Sequence, residues 1–263
     1  MRTTGIYVAH RTMLHGLDSR TKIIAFAFLS GMLLVFNDPR YLAAMVLGLL
    51  VLGALGRSLR NYNRVRYLAL FLFLTSWVAW QFYIRGTVVT RFGPVALTHQ
   101  GILYGLSAGM RVACAVLLGT LFLSITGIEE LMAGLIRLGL PYRIGFVLSV
   151  TARLVPLLAL ALGDIVQAQT ARGLDLSSHN PFRRARQLFP VLVPFLVFSA
   201  RHASRLAMAL ESKGFRPSGA RTYYLQLVMR RRDFVVLLAL FALTTLSVAW
   251  RLTGHGVVVP GRI

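Results

Sequence analysis

Acidic side chains are scarce in this chain: eight aspartates and glutamates stand against 29 lysines and arginines, for a formal net charge of +21. The eight are Asp18, Asp38, Glu129, Glu130, Asp164, Asp175, Glu211 and Asp233, and none forms a DxxD or ExxH arrangement suited to a metal or a pyrophosphate. The six histidines are scattered, so no metal site is expected. There is no Gly-Lys dipeptide, which excludes a Walker A loop. One cysteine, Cys114, excludes a disulfide within the chain and reads as a packing residue. No catalytic residue and no cofactor is expected.

What is abundant is apolar sequence. The 263 residues are 56% hydrophobic, with a mean hydropathy of +0.67 despite the charge. A soluble nucleic-acid binder would not gather its apolar residues into long runs, so no nucleic-acid partner is expected. The runs Ile23–Phe36, Tyr41–Leu55, Tyr67–Ile84, Gly101–Ile125 and Phe234–Trp250 are expected to be membrane helices. The first two are short for a bilayer that asks for about 17–25 residues, and snorkelling by Lys22 is one way to extend the first. The 22 residues before Ile23 are too long and polar for a cleavable signal.

Cations set an orientation. Four precede the first run, one (Arg40) follows it, four lie in the next loop, two in the third, fifteen between Gly127 and Phe234, and two after Trp250. The positive-inside rule then places the N-terminus and the basic region in the cytoplasm, with five crossings of a prokaryotic cell membrane. Anionic lipid headgroups of the bilayer are the general partner of such charge.

The chain divides accordingly. Residues 1–126 form a four-span block, 127–232 a cytoplasmic-side region, and 233–263 the last span with a short tail. In the middle region a short helix is expected over Ile128–Leu138, with Glu129 and Glu130 in its first turn and Arg137 in its last, as the helix dipole favours. Gly139 and Pro141 separate it from a long helix, about Pro141 to Arg172, kinked at Pro156. A loop near Ser177–Pro181 precedes a third helix, about Phe182 to Lys213, interrupted by Pro190 and Pro194. Both long helices look too polar to cross a bilayer simply, and are expected at the membrane surface. The expected fold is all-α: a polytopic membrane protein with about five spans and long amphipathic helices.

Two patterns stand out. On the fourth span Gly101, Gly105, Gly109 and Ala113 recur every fourth residue, which lets another helix approach closely. That neighbour is a helix of this chain or a separate membrane subunit; with Arg111 among them, a costly charge within a span, these residues are singled out as a partner-packing face. The second pattern is a phrase that occurs twice, 41 residues apart: Ala168-Gln-Thr-Ala171-Arg172-Gly173-Leu174 and Ala209-Leu-Glu211-Ser212-Lys213-Gly214-Phe215. A glycine cap preceded by a cation is a common helix ending. The cap accounts for each glycine but not for the match between the copies.

Ala171-Arg172-Gly173 resembles the Ala-Arg-Gly signature of the transmembrane T component (EcfT/CbiQ-like) of energy-coupling factor transporters, importers of vitamins and metal ions. Glu211-Ser212-Lys213-Gly214 resembles its second copy, with lysine for arginine. Leu17-Asp18-Ser19-Arg20-Thr21-Lys22 resembles the family's Leu-Asp-Pro-Arg-Thr-Lys entry to its first span, with Ser19 for proline. The resemblance implies a non-catalytic subunit whose two helix tips dock on two cytoplasmic ABC-type ATPases, alongside a small substrate-binding membrane S component. The competing expectation from the residues is a self-contained channel or carrier with a basic cytoplasmic gate.

Overall fold

The computed structural model describes residues 14–83, 88–92, 95–175, 187–215 and 229–253. Among them are eight helices: α1 (Ser19–Val35), α2 (Pro39–Leu55), α3 (Leu59–Tyr83), α4 (His99–Ile125), α5 (Ile128–Arg137), α6 (Tyr142–Ala171), α7 (Phe189–Ser212) and α8 (Arg231–Leu252). A small antiparallel hairpin, β1 (Val88–Phe92) with β2 (Val95–Thr98), joins α3 to α4 and was not expected from the apolar pattern. The expected loop at 177–181 lies outside the described residues. The architecture is that of an all-α polytopic membrane protein.

Local chemistry starts the helices. Asp18 and Asp38 cap α1 and α2 in the same way, each carboxylate accepting the backbone N–H two residues on at 2.9 Å. Pro39 occupies the first turn of α2, where its missing N–H costs nothing. Thr98 Oγ1 accepts the Gly101 N–H at 3.1 Å and opens α4.

The chain forms two compact units. The first holds α1–α5, the hairpin and α8. Its core runs across α1–α4 through Leu33, Leu42, Leu49, Tyr62, Cys114, Leu118, Leu121 and Ile125. Cys114 is fully buried there, as its position in an apolar run suggests. Two polar clasps lie within this apolar packing: Asn61 Nδ2 donates to Ser124 Oγ at 2.8 Å, and Tyr62 OH to the Leu49 carbonyl at 3.1 Å. The helix α1 packs on α4, α5 and α8, and α3 lies along α4.

The second unit holds α6 and α7. Pro156 falls inside α6 and Pro194 inside α7, but Pro190 sits in the first turn of α7 and interrupts nothing. Four helices are long and apolar enough to cross a membrane: α3, α4, α6 and α8. The shorter α2 is apolar too. By length and composition α6 therefore joins the candidate spans, although it was expected to be too polar: its charges are Arg143, Arg153 and Asp164, and the ten residues 154–163 between the last two carry none. The first expected span becomes the 17-residue α1, about 26 Å at 1.5 Å per residue and shorter than the hydrocarbon core.

Candidate docking site

The duplicated phrase is a duplicated geometry. At the end of α6, the Gly173 N–H donates to the Thr170 carbonyl at 2.9 Å and the Leu174 N–H to the Gln169 carbonyl at 3.0 Å. At the end of α7, the Gly214 N–H donates to the Glu211 carbonyl at 2.9 Å and the Phe215 N–H to the Leu210 carbonyl at 2.9 Å. These are the paired 5→2 and 6→1 bonds of a Schellman ending. Arg172 and Lys213 share one backbone conformation, φ −86° and ψ 8°. The glycines that follow are left-handed, at φ +91° and +68°.

The sequence folds this way because only glycine enters that region without its Cβ meeting backbone. At Gly173 and Gly214 a Cβ would meet no atom within 4 Å, so a substitution there tests conformation alone. Gly173→Ala is expected to cost about 1–2 kcal/mol and to fray the end of α6. The matched control, Gly163→Ala within the same helix and equally uncrowded, gains helix propensity. Thermal unfolding in detergent micelles, followed by circular dichroism, separates the two.

The tips point outward chemically as well. Ala171, Arg172 and Gly173 are exposed, as are Glu211, Ser212, Lys213 and Gly214. Among the described residues neither Arg172 nor Lys213 has an ion-pair partner in the chain. The Phe215 ring stacks on Phe146 near the start of α6, with centroids 4.5 Å apart. Ile165, late in α6, shares a cleft with Pro194 and Val197, early in α7. The two helices therefore pass each other in opposite directions, which sets the two tips toward opposite ends of the pair. With 25 residues of α6 between Phe146 and Ala171, that distance is about 38 Å along the helix at 1.5 Å per residue.

The small-residue face of α4 is occupied by a helix of this chain, one of the two neighbours the sequence left open. A Cβ on Gly105 would lie 2.9 Å from the Trp77 carbonyl oxygen, and one on Gly109 2.8 Å from that of Phe73. Both neighbours belong to α3. Gly101 is buried, its carbonyl accepting from Gln81 Nε2 of α3 at 3.3 Å, and Ala113 is half-buried. The face singled out for partner packing is thus filled, at Gly101, Gly105 and Gly109, by α3, as the own-helix alternative has it. Arg111 is likewise engaged internally: its guanidinium donates to the Phe36 carbonyl at 2.9 Å and to Asn37 Oδ1. It closes the C-terminal end of α1, where the helix dipole favours a cation. Gly109→Val is expected to push α3 from α4 and destabilise by about 1–3 kcal/mol, as overpacking does. Gly119→Val, on the same helix with nothing within 4 Å, is expected to leave the unfolding midpoint nearly unchanged.

A polar node at the start of α1 was missed. Lys22, read as a snorkelling side chain, is 3% exposed. Its ammonium donates to the His15 carbonyl at 3.0 Å, to the Ile125 carbonyl at 3.1 Å and to Glu130 Oε2 at 3.2 Å, which uses all three of its protons. One cation thereby joins α1, the negative end of α4 and the first turn of α5. Gly134 completes the α1–α5 contact, since a Cβ there would stand 2.9 Å from Ser19 Cβ. Beside it, Asp233 is 1% exposed and accepts the Asp18 N–H at 2.9 Å and the Arg230 N–H at 2.8 Å, tying the start of α8 to the start of α1. A signal was present: a lysine in the first turn of a helix opposes the dipole, and needs a partner elsewhere.

Among the described residues no three His, Cys, Asp or Glu side chains gather as a metal site. Against this geometry, sequence comparison is direct. A family model described as "Cobalt transport protein" (CbiQ) matches residues 10–224. Curated relatives named energy-coupling factor transporter transmembrane protein EcfT align over nearly the full length. That from Thermosediminibacter oceani is 32% identical, covering 90% of this chain and 93% of its own. That from Acidaminococcus fermentans is 30% identical over 92% and 94%, and that from Bacillus subtilis 28% over 92% and 95%. The chain belongs to the CbiQ/EcfT family of multi-pass membrane proteins. Members of this family are the energy-coupling transmembrane components of energy-coupling factor transporters, non-catalytic subunits whose ATPases are separate chains.

Proposed function

We propose that this chain transmits ATPase motion through its two helix tips. Arg172 docks on one cytoplasmic ABC-type ATPase subunit and Lys213 on a second, each cation meeting carboxylates in a surface groove. Ala171-Arg172-Gly173 and Glu211-Ser212-Lys213-Gly214 form the two contact points. Closing and opening of the ATPase pair on ATP shifts α6 and α7, which repack against a small membrane S component carrying a vitamin or a transition-metal ion. The N-terminus and the region 127–232 face the cytoplasm, a reading that the distribution of cations supports.

The observation that carries this reading is the pair of matched endings on two antiparallel helices, each presenting an exposed cation without an ion-pair partner among the described residues. A lone capped helix needs no twin. Two equal tips tens of ångströms apart fit two equivalent grooves on a dimeric partner. Arginine and lysine differ here, because the guanidinium grips a carboxylate with two parallel bonds and the ammonium with one point charge. Arg172→Lys is therefore expected to weaken ATPase retention several-fold, whereas Lys213→Arg leaves it equal or stronger. Co-purification of the ATPase with affinity-tagged variants measures both. Equal retention by all variants, including the double alanine variant, would remove the docking role.

A further inference from the structure

Basic residues outside the tips are not distributed evenly on α7. From Phe189 to Phe198 its residues are apolar, and Phe189, Leu192, Val193, Leu196 and Val197 are exposed. One turn later come Arg201, His202 and Arg205. These three line a cleft of about 480 Å³ between α6 and α7, whose other walls are Ile165, Pro194, Val197 and Phe198. Arg201 and Arg205 lie four residues apart and so share one helix face. The carboxylate next to the cleft in sequence is Asp164, and it forms no ion pair with either arginine. Phe198 and His202 stack with centroids 6.1 Å apart, which places the imidazole beside the apolar wall.

From this arrangement we infer that the cleft binds the phosphate of an anionic phospholipid, with an acyl chain along the apolar wall. Two guanidiniums supply charged donors for phosphate oxygens and the imidazole a further N–H, and the guanidiniums are not satisfied by acids among the described residues. The change from apolar to basic along one helix matches the step from acyl chain to headgroup in a bilayer leaflet. A free phosphate anion would use the donors but leave Ile165, Pro194, Val197 and Phe198 without a ligand contact. The occupant is therefore an amphiphile rather than a small anion, and the site is independent of the two tips.

The test uses the full chain in mild detergent, delipidated and then titrated with phosphatidylglycerol, with phosphatidylcholine, or with inorganic phosphate. Thermal unfolding and native mass spectrometry report binding. Phosphatidylglycerol is expected to raise the unfolding midpoint of the wild type and to remain bound in the mass spectrum. Arg201→Gln with Arg205→Gln should require about 30-fold more of that lipid for the same shift, as two headgroup contacts imply. Arg60→Gln with Arg64→Gln removes equal charge from α3 and should behave as wild type. Arg201→Lys with Arg205→Lys should retain most of the shift, which separates lost binding from lost folding. The same lipid dependence in all four proteins, an equal effect of phosphatidylcholine, or a full effect of inorganic phosphate alone would each overturn the assignment.

Discussion

The double variant Arg172→Ala, Lys213→Ala is expected to fold as the wild type does and to lose its ATPases. Both side chains are exposed, and among the described residues neither holds an ion pair within the chain, so truncation costs α6 or α7 only the helix-end charge, about 0.3–1 kcal/mol. Truncating a charge that a partner has buried costs about 2–5 kcal/mol, largely because the partner's carboxylates are left unpaired. The two tips are far apart and share no contacts, so the losses should add. Even at the lower bound the pair would reduce affinity by about a thousandfold, against about thirtyfold for either alone. Co-purification should therefore fall partly in each single variant and almost completely in the double one. Substrate uptake should fall with it, while circular dichroism and membrane insertion stay unchanged. If the double variant retains its ATPases, the cations are simple helix-end charges.

Lys22→Met is expected to be the most damaging single change to the fold. The substitution keeps the approximate volume but leaves the carbonyls of His15 and Ile125 without their donor and Glu130 without its cation. Breaking a buried pair by removing one partner costs about 3–5 kcal/mol. Glu130→Gln should cost less, because that carboxylate is 34% exposed and water can replace the lysine. A double-mutant cycle over the two positions, read by thermal unfolding, is expected to show a positive coupling energy. Strict additivity, or a Lys22→Met midpoint equal to wild type, would mean the node holds nothing together.

How much of this was legible beforehand differs by residue and for physical reasons. The tips were legible because a Schellman ending is a local device: glycine at the left-handed position and a cation before it are both written in a few adjacent letters. The all-α membrane class was legible because long apolar runs admit few alternatives. The ladder Gly101, Gly105, Gly109 was readable as a helix face, but periodicity reports a face and not its occupant. That occupant is α3, reached through contacts between residues 28 and 36 positions apart. Arg111 carries the same lesson, since its partners Phe36 and Asn37 lie about 75 residues away. Lys22 was misread because snorkelling and burial start from the same sequence pattern, and a partner 108 residues away decides between them. The apolar content of α6 was underread because its charges were weighed over the whole segment, while length and composition alone would allow a crossing.

The central claim is that two matched tips touch two ATPase subunits, and site-specific photocrosslinking from positions 172 and 213 tests it most directly. A photoreactive residue at either position, in native membranes, is predicted to give an adduct with an ATP-binding subunit. The same residue at position 119, in the C-terminal third of α4, should give none. Adducts from 172 and 213 only with lipid, with this chain itself, or with an integral membrane subunit would contradict the account.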